Sequence, residues 1–320
     1  MGQEEVVTRL NKEISSTITY FITEELPPHF RWDPSCPIRG TDRFYVRTAE
    51  EATSLGREVV VVYDGPTREV NRVVYKNRSQ HDRSCPDAAE VWLMNPRSNL
   101  DIVGHTGSVR IWTNFFFDHP DYYFDWLDSV DVITDDLVVI SSAAKNLMPP
   151  NLGARVVPHG IDHALYSPTS NKIRKRQVAF TSSPDRGLAK LQALWDRCDI
   201  EQETGYRLVT GTYGDRATSD QQVRDLLAES DFWVHPGVGR ELFSLAAAEA
   251  QAAGCTPIVV PSGGLATTVR HGYRFTSSSF EEGLLAVLSG QATMQGVTAD
   301  HIPSWRTATA ALLGWDSLLI

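Results

Sequence analysis

Apolar residues along this chain fall into short β-rich runs separated by stretches with helical spacing, and the two alternate from one end to the other. In the first half, TITYFI (17–22), EVVVVY (58–63), EVWLM (90–94), SVRIW (108–112), LVVIS (137–141) and ARVVP (154–158) read as strands. The segment TDRFYVRTAEEATSL (41–55) reads as a helix, with Gly56 as its stop. The second half repeats the scheme with QVAFTS (177–182), YRLVTG (206–211), DFWVHP (231–236), CTPIVVP (255–261) and GYRFT (272–276). Helical patterns at 187–196, 219–229, 244–253 and 279–289 separate these runs. Continuous apolar strands are what a parallel sheet buried on both faces requires, and their alternation with helices implies βαβ units. The fold class predicted is α/β, with two Rossmann-like domains facing a central cleft.

The expected boundaries are an N-terminal domain over 1–158, a linker over 159–176 and a C-terminal domain over 177–302. The linker expectation comes from PHGIDHALYSPTSNKIRKR (158–176), which has Pro, Gly, Asn and charge but no period. A helix over 303–320 follows Pro303, and a return to the N-terminal domain is open to it. A length of 320 residues suits two domains of about 150 each.

Charge narrows the partners. A net charge of −10 argues against a nucleic-acid binder, because the phosphate backbone demands clustered cations. KIRKRQ (172–177) is the longest basic cluster and reads as solvated chain. MGQEEVVTRLNKE has no apolar core to act as a secretory signal, and no apolar run approaches the ~20 residues of a membrane helix. Cys36, Cys85, Cys198 and Cys255 are far apart and form no Cys-x-x-Cys pair, which fits a reduced compartment. The expectation is a soluble, cytoplasmic protein with no integral membrane span. A homodimer is among the assemblies open to it.

The chemistry concentrates in HPGVGRELFSLAAAEAQAAG (235–254), where Glu249 interrupts a helix of alanine and leucine and Glu241 stands just before it. A carboxylate in such a helix is costly unless paired or hydrogen-bonded. Eight helical positions rise about 12 Å, far beyond the ~5–5.5 Å between the carboxyl groups of a retaining glycosidase. With both residues helical, that spacing argues against a hydrolase pair and suits two ends of one extended ligand.

Four phrases in order resemble the C-terminal domain of the retaining GT-B glycosyltransferases of family 4. They are PHGIDHALYSP, FTSSPDRGLAKLQALW, RELFSLAAAEAQAAGCTPIVV with its Glu-x7-Glu spacing, and SGGLATTVRHGYRF, together covering roughly 155–280. The first half, TYFITEEL…IRGTDRFYVRTAEEATSLGREVVVV, is similar more loosely, with the family's glycine-rich loop reduced to Gly40.

The resemblance implies transfer of a hexose, with mannose favoured, from a nucleotide-diphosphate sugar to an acceptor hydroxyl with retention. Glu241 would accept hydrogen bonds from the donor sugar, and Glu249 would hold the ribose. Backbone N–H groups near Phe243, Ser244 and Leu245 would open the helix toward the diphosphate. Arg186 would clamp that diphosphate, with Ser182 and Ser183 standing where relatives often carry a Gly-Arg pair. Gly211 and Tyr213 follow a strand end where the family places the base. Gly263 and Gly264 suit a tight turn near the ligand. On the acceptor side the candidates are Gly40, Asn114 and His119, the last two in the aromatic stretch WTNFFFDHPDYYFDWLD (112–128). His159 reads as a hinge residue.

No Asp-x-Asp occurs, so no obligatory metal or other cofactor is expected. The donor is GDP-mannose or UDP-glucose, and the acceptor a glycan, glycoprotein or small molecule. A nucleotide-sugar epimerase of the same fold and a non-catalytic nucleotide-binding module remain as alternatives.

Overall fold

The computed structural model describes residues 18–23, 40–85, 87–94, 107–113, 135–148, 153–167, 174–211, 218–239, 241–292 and 297–315. They divide into two compact units, one within Met1–Trp32, Ile38–Gly160 and Trp305–Ile320, the other within Ile161–Ser304.

In the first unit the described strands are β1 (Ile18–Thr23), β2 (Glu58–Tyr63), β3 (Arg68–Val70), β4 (Val73–Asn77), β5 (Ala88–Met94), β6 (Ser108–Thr113), β7 (Asp136–Val139) and β8 (Arg155–Val156). They form one sheet in the order β3-β4-β2-β1-β5-β6-β7-β8. All neighbouring pairs are parallel except β3 with β4. β2 has Val59 through Tyr63 buried in succession, as a strand covered on both faces must. Helix α1 (Gly40–Ser54) lies between β1 and β2 in the chain and buries Phe44, Tyr45, Val46 and Ala49. A one-turn helix, α2 (Ser142–Lys145), is capped by Ser141, whose hydroxyl accepts from the Ala144 N–H.

The β3–β4 hairpin was not foreseen from the hydrophobic pattern. Its two-residue turn is Asn71–Arg72, with φ of 51° and 66°. Both values are positive, which a tight hairpin with right-handed strand twist favours. Arginine is an unusual occupant, and the usual glycine cue is missing.

The second unit holds α3 (His163–Tyr166), β9 (Lys175–Phe180), α4 (Leu188–Arg197), α5 (Ile200–Thr204), β10 (Arg207–Thr210), α6 (Asp220–Glu229), β11 (Ser230–His235), α7 (Leu245–Ala252), β12 (Thr256–Val259), α8 (Leu265–Thr268), β13 (Tyr273–Arg274) and α9 (Phe280–Leu288). The strands run β10-β9-β11-β12-β13, all parallel. Counted along the chain this is the doubly wound order 2-1-3-4-5, in which the strand order reverses between β9 and β11. One face of the sheet meets Leu191, Leu194, Phe280 and Leu284; the other meets Leu227, Ala247, Ala250 and Leu265. α6 begins on a capping box, Ser219 with Gln222.

One segment departs from the sequence pattern, and the last helix takes the return to the first unit that the pattern left open. Part of the aperiodic stretch 159–176 is α3, started by Asp162 accepting from the Leu165 N–H, and its Tyr166 is buried in the second unit's core. The final helix, α10 (Trp305–Leu312), packs on α1 of the first unit. Arg155 ties it down by donating to the carbonyls of Ala311 (2.5 Å) and Leu312 (3.0 Å) while pairing with Asp136 at 2.5 Å.

Candidate functional site

The carboxyl ends of β9 and β11 sit side by side at the reversal point of the second sheet, where open α/β sheets bind their ligands. β9 ends at Phe180 and passes into Thr181, Ser182 and Ser183, then a 3-10 turn over Pro184–Arg186. Thr181 is anchored by the indole N–H of Trp233 on β11, at 3.1 Å. Ser183 supplies a carbonyl to the Arg186 N–H at 2.9 Å. Ser182 is buried, and its hydroxyl makes no hydrogen bond among the described residues.

Arg186 and Glu241 come together here, with Nε and Oε1 3.6 Å apart. That is an ion pair without hydrogen-bond geometry. Asp185 stands 3.8 Å from the same guanidinium. Burial raises the Glu241 carboxyl to about 7; Arg186 pulls against that rise and Asp185 adds to it. A group poised near neutrality beside a cation in a strand-end crevice is what binding and catalytic sites build.

A third residue joins them that the sequence reading passed over. His235, the last residue of β11, is fully buried, and its Nε2 lies 3.8 Å from Glu241 Oε1. Its Nδ1 accepts the Gly237 N–H at 3.0 Å. Burial, with Arg186 adding to it, lowers the imidazole to about 4, so the ring is neutral around pH 7. A polar residue closing an apolar strand run just before Pro-Gly was the available signal.

Two glycines make this convergence sterically feasible. Gly239 has φ 77°, and a Cβ there would fall 2.7 Å from Arg186 Nη1. Gly264 donates its N–H to the Glu241 carbonyl at 2.5 Å, and a Cβ on it would fall 2.1 Å from the Leu242 carbonyl oxygen. The Gly263–Gly264 turn therefore lies directly against the backbone that carries Glu241.

Glu241 precedes α7 by four residues and is not helical; Glu249 is the fifth residue of that helix, so the straight eight-residue rise does not measure their separation. Glu249 is 6% exposed, and Ala247 through Gln251 are all buried, so α7 is covered on every side. Ser244 caps α7, its hydroxyl accepting the Ala247 N–H at 3.3 Å. Phe243 and Leu245 pack against Ile161, Ala248 and Ile302. Gly211 prolongs β10 by donating to the Phe180 carbonyl at 3.1 Å.

Gly40 is the exposed first residue of α1 in the other unit. Asn114, His119 and Tyr213 lie outside the described residues. His159 belongs to the first unit, buried among the rings of Phe44, Trp112 and Trp305, with its imidazole lowered to about 3 by burial and by Arg43. Among the described residues, no group of three or more metal-ligating side chains is assembled, and no helix is long and apolar enough to cross a membrane.

No family model matches the chain, and no curated protein matches it in sequence. Solved structures do match in fold. Sucrose-phosphate synthase from Thermosynechococcus elongatus aligns with a TM-score of 0.62 at 11% identity over 95% of this chain and 99% of that one. AviGT4, a glycosyltransferase involved in avilamycin A biosynthesis, gives 0.63 at 15% identity over 95% and 98%. HepE of Anabaena, in complex with UDP and glucose, gives 0.62 at 12% identity over 95% and 98%. At such identities the likeness establishes the fold, and the fold is GT-B: α/β with two parallel-sheet units.

Proposed function

We propose that this chain is a retaining glycosyltransferase that moves a hexose from a nucleotide-diphosphate sugar to an acceptor hydroxyl. The reading is supported most by the meeting of Arg186, Glu241 and His235 at the strand-order reversal of a GT-B second unit. Arg186 offers a planar fork of donors suited to a diphosphate, which the hydroxyl of Ser182, without a hydrogen-bond partner among the described residues, would join. Glu241 would accept hydrogen bonds from sugar hydroxyls, and Glu249, Phe243, Ser244 and Leu245 would form the nucleotide end of the site. Gly40, Asn114 and His119 are the acceptor-side candidates that the sequence resemblance implies.

The departing diphosphate takes the acceptor's proton while positive charge grows on the sugar ring. The protein's share is orientation and stabilisation of the leaving charge, with no obligatory metal. Mannose from GDP-mannose is the donor implied by sequence resemblance. HepE is described with UDP and UDP-glucose, and starch synthase IV of Arabidopsis thaliana with ADP and acarbose, so glucose donors belong beside it in any test.

The test is NMR on the protein with GDP-mannose, UDP-glucose and ADP-glucose, each with and without a panel of hydroxyl acceptors. The expected outcome is acceptor-dependent consumption of one donor, with the sugar's anomeric configuration preserved in the product. An inverted product contradicts the retaining mechanism. A sugar rearranged without acceptor marks an epimerase, and binding without turnover marks a nucleotide-binding module.

A further inference from the structure

We propose that His235 is a positioning residue for Glu241: a neutral imidazole whose Nε2–H is held toward the carboxylate and orients it without neutralising it. This rests on the reading of Glu241 as the residue that meets the donor sugar. The first observation is the tautomer. The Gly237 N–H donates to Nδ1 at 3.0 Å, and a ring nitrogen that accepts carries no proton, so the proton of the neutral ring is on Nε2.

The second observation is where that proton faces. Nε2 is buried, makes no hydrogen bond among the described residues and lies 3.8 Å from Glu241 Oε1. A buried donor left unpaired is costly, and native structures keep few of them without a functional reason. The ring is also hemmed in, with its centroid 6.2 Å from that of Phe180 and 5.8 Å from that of Trp233.

The charged and titratable groups that face Glu241 among the described residues are Arg186 from the β9 turn, Asp185 beside it and His235 from β11. The Gly263–Gly264 turn contributes only backbone. Arg186 and His235 approach the same oxygen, Oε1, from two neighbouring strand ends. One of them is a full charge that a diphosphate would compete for. The other is an uncharged, fully buried donor, for which an anion competes less strongly. When a diphosphate engages Arg186, the imidazole N–H remains to keep the carboxylate aimed. Its lowered basicity means that it performs this role without titrating at neutral pH.

The test uses the full chain labelled with carboxyl-13C glutamate, with the Glu241 signal assigned by its loss in Glu241→Gln. His235→Asn keeps an acceptor for the Gly237 N–H and removes the N–H that faces Glu241. His235→Gln places an amide N–H near the Nε2 position. An N–H aimed at a carboxylate favours its charged form, so the midpoint in His235→Asn rises by about half to one pH unit, and His235→Gln stays close to wild type. An unchanged midpoint in His235→Asn, or equal shifts in both variants, overturns the proposal.

The unsubstituted protein supplies a second readout that folding of the variants cannot compromise. Nitrogen-15 NMR of the His235 ring should show the Nε2-protonated tautomer throughout pH 5–9. An Nδ1-protonated ring, or one titrating near neutrality, overturns it equally. No nucleotide-sugar enters either measurement, so a failed donor assignment and a failed positioning role remain distinguishable.

Discussion

Glu241 combines a buried carboxyl, an arginine 3.6 Å away and a titration point near 7. The ordinary value is 4.5, so between pH 4.5 and 7 the folded state holds a proton that the unfolded chain releases. The Glu241 contribution to stability therefore falls as pH rises through that window and levels off above it. Glu241→Gln removes the cost of ionising a buried group. It should stabilise the protein by on the order of 2 kcal/mol at pH 8 and by little at pH 5, read from denaturant melts. Equal stabilities at pH 8 would show that the carboxylate is well solvated in solution. The same proton bears on binding. If the ionised form receives the sugar hydroxyls, donor affinity declines up to about tenfold per pH unit below 7, which calorimetry across pH 5–8 measures. Arg186 and Glu241 were legible from sequence because each flanks a strand end in a recognisable phrase. His235 was not, since as the last residue of an apolar run it reads as core until its neighbours are known.

At the scale of elements, the candidate site depends on how α7 begins and on what supports the segment before it. Ser244→Ala removes the hydroxyl that accepts the Ala247 N–H and should cost about 1 kcal/mol of stability by thermal or denaturant melt. Gly264→Ala acts differently. Its new methyl meets the Leu242 carbonyl at 2.1 Å, so residues 241–243 must move and carry Glu241 with them. The expected result is donor affinity reduced at least tenfold with the second unit still folded, as calorimetry and circular dichroism would report. Unchanged affinity would separate the glycine turn from the site. The buried parallel strands were readable because continuous valine and isoleucine runs have few other uses. The β3–β4 hairpin was not, because its turn places Asn71 and Arg72 at positive φ without a glycine. Nor was α5, which follows α4 after two residues, with Asp199 at φ 43° breaking the helical pattern.

At the scale of the molecule, each unit buries one histidine in its neutral form among the described residues, His159 in the first and His235 in the second. Both have folded values below the ordinary 6.5, so the unfolded chain takes up protons first as pH falls. Stability is lost below about pH 6.5, at up to about 1.4 kcal/mol per unit for each ring, until the folded values near 3 and 4 are reached. Denaturant melts at pH 5 and 7 should show the two histidine contributions less the opposing one from Glu241, with His159→Phe reducing the gain toward pH 7 and Glu241→Gln enlarging it. An identical slope in His159→Phe would assign the acid sensitivity elsewhere. The two-unit plan itself was legible in the repeated alternation of strands and helices, whereas the long-range contacts that seat α10, those of Arg155 with its last carbonyls and of Trp305 with Phe44, are revealed by no local pattern.

The central claim is that Arg186 and Glu241 together receive a nucleotide-diphosphate sugar, and a crystal structure with the tightest-binding donor tests it most directly. The account predicts phosphate oxygens within hydrogen-bond reach of the Arg186 guanidinium, sugar hydroxyls on Glu241 and the ribose on Glu249. A nucleotide seated away from the carboxyl ends of β9 and β11, with Arg186 and Glu241 making no contact to it, would contradict it.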